Sequence, residues 1–88
     1  MEVHKAITAH SKKQQAAVSE FLQLEARREA AIETAVMLCR NNQPFSVDAI
    51  NAVTKEINMF AKDGVVPERK YVTLEMVKEY VERLNRQE

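Results

Sequence analysis

Apolar residues recur at alternating spacings of four and three along the N-terminal half of the chain. One line runs through Val3, Ile7, His10, Gln14, Ala17, Phe21, Leu24, Arg28, Ala31, Ala35 and Leu38. A second lies one position on, at Val18, Leu22, Ile32, Val36 and Cys39. This is the period of an amphipathic helix. Residues 1–43 contain neither glycine nor proline, so no strong helix breaker interrupts it. Together the two lines form an apolar face over residues 17–39, broad enough to touch two neighbours. The face thins over His10-Ser11-Lys12-Lys13-Gln14-Gln15. The pattern therefore predicts a long first helix whose residues 1–16 form a projecting arm and whose remainder joins a core spanning residues 17–88.

The helix is predicted to stop near Arg40 to Asn42, because asparagine tolerates a left-handed cap and Pro44 follows closely. A second helix starts at Ser46 as N-cap, with Asp48 in its first turn and Phe45 placed to staple onto Ile50. Its apolar face is Val47, Ile50, Val53, Ile57 and Phe60. Lys62 lies in its last turn and Gly64 closes it. The connection from Val65 to Val72 is expected to turn Val65, Val66, Tyr71 and Val72 onto the core and to leave Glu68, Arg69 and Lys70 in solvent. A third helix begins at Thr73, with Val72 and Val77 as a second staple and a face of Leu74, Val77, Tyr80, Val81 and Leu84. Glu79–Arg83 and Glu82–Arg86 are spaced to pair along it. The fold class is all-α: a long helix packed by two shorter ones in a single domain, residues 1–88. Short connections make sequential helices antiparallel neighbours.

Charge and cysteine content narrow the function classes. Thirteen basic residues balance thirteen acidic ones, so the basic excess of a dedicated nucleic-acid binder is missing. Cys39 is the single cysteine and cannot form an intrachain disulfide, which fits a reducing compartment. There is no apolar run of signal-peptide length and none approaching the roughly 18 residues of a membrane span. These features predict a cytoplasmic protein that does not enter a membrane.

Enzyme signatures are missing from the sequence: no phosphate-cradling glycine loop, no Gly-x-Ser-x-Gly, no His-Glu-x-x-His and no cysteine pair. His4 and His10 are six positions apart, which puts them on different helix faces. Metal ligands on a helix need spacings of three or four, so no metal or cofactor is expected. Cys39 reads as a buried structural cysteine, and Met37, Met59 and Met76 as core filler. Glu25, Arg27, Arg28 and Glu29 make a charged belt across the long helix. Arg28 falls on the first apolar line and Glu25 and Glu29 on the second, so a half-buried Arg28–Glu pair that fixes helix register is one reading, and solvated side chains are the other. The second and third helices suggest a helix-turn-helix only weakly, because their connection is about nine residues against the three or four of the DNA-binding motif.

Three stretches carry a family likeness: Glu2-Val-His-Lys-Ala-Ile-Thr-Ala-His10, Pro44-Phe-Ser-Val-Asp-Ala-Ile-Asn51 and Pro67-Glu-Arg-Lys-Tyr-Val-Thr-Leu-Glu-Met-Val-Lys-Glu-Tyr-Val81. With them the chain resembles the YpbS-like family of short uncharacterised proteins from Bacillus-type Gram-positive bacteria. The resemblance implies a bacterial cytoplasmic protein and brings no catalytic residue, cofactor or partner.

The sequence thus predicts a non-enzymatic interaction or regulatory module that forms a homodimer, or meets another protein, through its first helix. Val3, Ile7, His10, Phe21, Leu24 and Arg28 are the candidate self-association residues. If the arms pair, His10 titrates near neutral pH and loosens the contact. The alternatives are a nucleic-acid-binding regulator using Lys12, Lys13, Arg69 and Lys70, and a metal- or ligand-binding helical bundle.

Overall fold

The structure, a computed structural model, describes the backbone of residues 2–64 and 66–87 and the side chains of residues 15–62, 64 and 66–87. The described residues form three α-helices: α1 (Glu2–Arg40), α2 (Asp48–Phe60) and α3 (Leu74–Gln87), with a 3-10 turn at Ala61–Asp63 after α2. No strand occurs among the described residues. The molecule measures 61 × 25 × 15 Å, because α1 runs well beyond the elements packed on it.

The local signals act as their chemistry requires. After Arg40 the chain reverses at Asn42, whose φ is 57°. The Gln43 N–H donates to the Leu38 carbonyl (2.8 Å) and the Asn42 N–H to that of Cys39 (3.1 Å), which together form a Schellman cap with asparagine in the left-handed position. The Ser46 hydroxyl accepts from the Asp48 N–H at 3.1 Å; the regular helix begins at Asp48, one residue later than the cap signal implied. At the other end, Gly64 takes φ 76° and its N–H donates to the Ala61 carbonyl. A side chain there would be strained by that backbone conformation. Thr73 caps α3 by accepting the Met76 N–H at 3.2 Å.

Two apolar clusters join the helices. Phe21, Val53, Ile57, Ala61 and Val66 form one, with Leu24 and Phe60 at its edge. Ala35, Ile50, Val77 and Val81 form the other, flanked by Ala31, Ile32, Val36, Cys39, Phe45, Val47 and Val72. Both expected staples, Phe45 with Ile50 and Val72 with Val77, lie in this second cluster. Cys39 is half-buried and free. The order of contacts makes α2 antiparallel to α1: Ile57 sits with Phe21 and Ile50 with Ala35.

The third helix departs from a simple bundle. The described part of the connection, residues 66–73, runs antiparallel to α2, with Arg69 beside Asn58 and Val72 beside Asn51. It runs back along α1 as an extended strap, so α3 starts near Ile32 and continues toward Arg40. It therefore covers the C-terminal end of α1, and its Val77 and Val81 share the second cluster with Ile50 of α2. Two expectations for the strap are corrected. Tyr71 does not fold onto the core and stays 52 % exposed, because the alternation of an extended chain that buries Val72 turns its neighbour outward. Arg69 is not solvated but half-buried and bonded. On α3, Val77 and Val81 are buried, whereas Leu74 and Tyr80 remain about half exposed. Of the two expected pairs on that helix, Glu82–Arg86 closes at 3.6 Å.

Candidate functional site

Beneath the strap lies a polar clamp built from α1 and α2. Asn51, Thr54 and Asn58 follow one another at helical spacing along α2. The Asn58 amide donates to the Arg69 carbonyl at 2.9 Å and accepts the Arg69 N–H at 2.7 Å. Asn51 does the same to Val72, donating to its carbonyl at 2.9 Å and accepting its N–H at 2.8 Å. Each asparagine thus supplies what a neighbouring strand would supply, one donor and one acceptor. Thr54, fully buried, accepts from Arg28 Nε at 2.9 Å and donates to the Ile50 carbonyl at 2.8 Å. Arg28 Nη2 donates to the Lys70 carbonyl at 2.9 Å. Arg69 grips Glu25 through Nε (2.8 Å) and Nη2 (3.2 Å) and lies 5.6 Å from the centre of the Phe21 ring.

The charged belt is therefore wired differently from the sequence reading. Arg28 is half-buried, but its Nε and Nη2 bond Thr54 and the strap instead of a glutamate that fixes register between helices or subunits, because α2 and the strap reach it first. Glu25 takes its partner from the strap, 44 positions along the chain. Arg27 meets Glu56 of α2 at 3.7 Å, an exposed pair of small energetic weight. No buried side-chain nitrogen or oxygen among the described residues lacks a partner.

The Glu25–Arg69 hydrogen bonds hold the Glu25 carboxyl below its ordinary value of 4.5, against the opposing effect of burial, with Arg28 adding to the attraction; the same bonds raise Arg69. A carboxylate whose folded value is depressed contributes stability that is complete above the unfolded value and is lost as pH falls through the folded one. Wild type is accordingly expected to lose stability on acidification below about pH 4.5, and Glu25→Gln to show a flatter profile over that window. Chemical denaturation at a series of pH values checks this, and identical profiles would exclude the contribution.

The second feature is apolar. Between α1 and α3 runs an open cleft of about 550 Å³ whose lining includes Ile32, Val36, Met37, Tyr80 and Leu84. Val72 and Met76 extend it toward the start of α3. Further along the same line of α1, Val18 and Leu22 are 42 % and 60 % exposed. Among residues 15–20, only Ala17 is as much as half-buried.

The predicted site residues fall into separate groups. Phe21 is 9 % exposed and sits in the first cluster, with Leu24 against its edge, so both are occupied within the chain, as is Arg28. The side chains of Val3, Ile7, His10, Lys12 and Lys13, and of His4, lie outside the described residues. Arg69 is engaged by Glu25, while Lys70 is exposed and lends its carbonyl to Arg28. Asn51, Thr54 and Asn58 were missed by the sequence reading. Their signal was a polar line at spacings of three and four beside the apolar face of α2. No group of three or more potential metal-ligating side chains occurs among the described residues, and no helix there is long and apolar enough to cross a membrane.

A long helix carrying two shorter ones, tied by an asparagine-held strap, defines a small all-α protein with no strand among its described residues. Residues 1–83 match the family described as "Protein of unknown function (DUF2533)", and the chain belongs to that family. It is 54 % identical over 83 residues to "Uncharacterized protein YpbS" of Bacillus subtilis (strain 168), an alignment covering 94 % of this chain and 98 % of that protein. The resemblance carried by the three sequence stretches is thereby established. No solved structure matches the chain.

Proposed function

We propose that the protein is a non-enzymatic, cytoplasmic bacterial interaction module that pairs with a second copy of itself through α1. The observation that carries this reading is the apolar line of α1 that its own chain leaves uncovered: Val18 and Leu22, exposed at 42 % and 60 %, followed by the open cleft at Ile32 and Val36. A monomer gains nothing from holding these side chains in water, and burying a leucine is worth about 1.5–3 kcal/mol. Val3, Ile7 and His10 belong to the same broad face by sequence period, and on this reading they extend the contact along the arm. Phe21, Leu24 and Arg28 then serve it indirectly, by fixing α1 to α2.

Self-association makes folding depend on concentration. The melting midpoint of the wild type is expected to rise as protein concentration rises, and that of Leu22→Glu to be lower and constant. Leu22 is exposed within the chain, so this substitution leaves the protomer's own packing intact. A wild-type midpoint that does not move with concentration would contradict the reading.

A further inference from the structure

We infer that the partner copy docks antiparallel, with the two-fold axis passing between Glu25 and Glu29, level with Arg27, so that Val18 and Leu22 of each protomer enter the α1–α3 cleft of the other. This rests on the self-association proposed above and adds its geometry.

Along one line of α1 stand Val18, Leu22, Glu25, Glu29, Ile32 and Val36, separated by four, three, four, three and four positions; Val18, Leu22 and Glu29 are exposed and Glu25, Ile32 and Val36 half-buried. The order reads the same from either end: two apolar residues, two glutamates, two apolar residues. An antiparallel pairing centred near Arg27 therefore sets Val18 against Val36, Leu22 against Ile32 and Glu25 against Glu29, each twice. The exposed pair and the cleft pair are not alike. Val18 and Leu22 project, whereas Ile32 and Val36 form part of the wall of a cleft that Tyr80 helps to close. A projection and a recess on one surface satisfy each other twice when a two-fold relates the copies, which is the requirement of a closed isologous dimer. A parallel pairing sets Val18 on Val18 and Leu22 on Leu22, and both clefts stay empty.

Charge at the crossing supports a second copy as the occupant. Each protomer brings Glu25 and Glu29, and beside them Arg28 and Arg69, so the crossing holds equal numbers of carboxylates and guanidiniums. Arg69 gives Nε and Nη2 to Glu25. A guanidinium has five N–H donors, and its other Nη is available to Glu29 of the partner subunit, which the antiparallel register brings opposite Glu25. The like charges of Glu25 and Glu29 are then bridged where a bare helix pair would repel.

The test is cross-linking of full-length protein. With Cys39→Ala as background, Leu22→Cys and Ile32→Cys variants are mixed, allowed to exchange subunits and treated with a bismaleimide of two-carbon spacer. Val18→Cys with Val36→Cys is a second pair, and far-ultraviolet circular dichroism checks folding. The expected result is a covalent dimer in each mixture and none from either variant alone, because Leu22 of one copy stands about 15 Å along the axis from Leu22 of the other at 1.5 Å per residue. A dimer formed by Leu22→Cys alone would establish a parallel pairing and overturn this geometry while leaving self-association intact. A dimeric mass with no cross-link in any mixture would also overturn it. A monomeric mass for the wild type would overturn both proposals.

Discussion

Ile57→Ala is expected to destabilise the fold by about 2–5 kcal/mol, the usual cost of truncating a fully buried isoleucine. Ile57 has no exposed surface. It sits between Phe21 of α1 and Val53, Ala61 and Val66, so one truncation opens a void where the long helix, α2 and the strap meet. A chain of this size has a total stability of roughly 5–15 kcal/mol. Each kcal/mol moves the melting midpoint by about 4–8 °C in domains of 60–100 residues, so the drop should be at least about 8 °C. Met59→Ala, two positions away on the exposed side of α2, is the control and should stay within about 0.5 kcal/mol of wild type. Thermal and urea denaturation at one fixed protein concentration measure both. An Ile57→Ala protein as stable as wild type would mean that the first cluster is not a packed core.

The second large effect is expected at the strap. Asn51→Ala and Asn58→Ala each remove two hydrogen bonds and leave a backbone N–H and carbonyl of the strap without their partners. A loss of that kind costs about 1–3 kcal/mol per unsatisfied buried group, discounted here because these bonds are only partly buried. The double variant should therefore lose several kcal/mol at most, with a distinctive local signature. In wild type the amides of Arg69 and Val72, bonded to Asn58 and Asn51, are expected to be protected from hydrogen exchange. In Asn58→Ala the Arg69 amide loses protection first, and in Asn51→Ala the Val72 amide does. If both amides exchange in wild type at the rate of a free loop, the asparagines do not hold the strap.

How much of this was legible in the sequence depends on how local each signal is. Asn42 with Pro44, Gly64 and Thr73 are short-range caps whose chemistry is complete within a few residues, and the structure has them where the sequence implied. The apolar faces of α2 and α3 were legible from period alone, as was the all-α class. The strap was not, because its partners lie 11 to 44 positions away. Asn51 and Asn58 carry no mark of their role in the sequence, because an asparagine gripping a strand-like segment has the same spacing as one facing water. Arg28 on an apolar line did mark a half-buried cation, but the sequence offered glutamates as its partner where the fold presents Thr54 and a carbonyl. Phe21 and Leu24 looked like surface for a second subunit because the sequence could not say which part of a broad face α2 would take. By covering that part, α2 leaves Val18 and Leu22, one position around the helix, as the residues that face outward.

These two exposed residues and the cleft further along α1 carry the account, and solution mass tests it most directly. Light scattering on the full-length chain, measured through size exclusion over a dilution series, is expected to give twice the chain mass of 10.1 kDa at high concentration and to fall toward that mass on dilution. Leu22→Glu should remain at the single-chain value throughout. A wild-type mass of 10.1 kDa at every concentration would contradict the account.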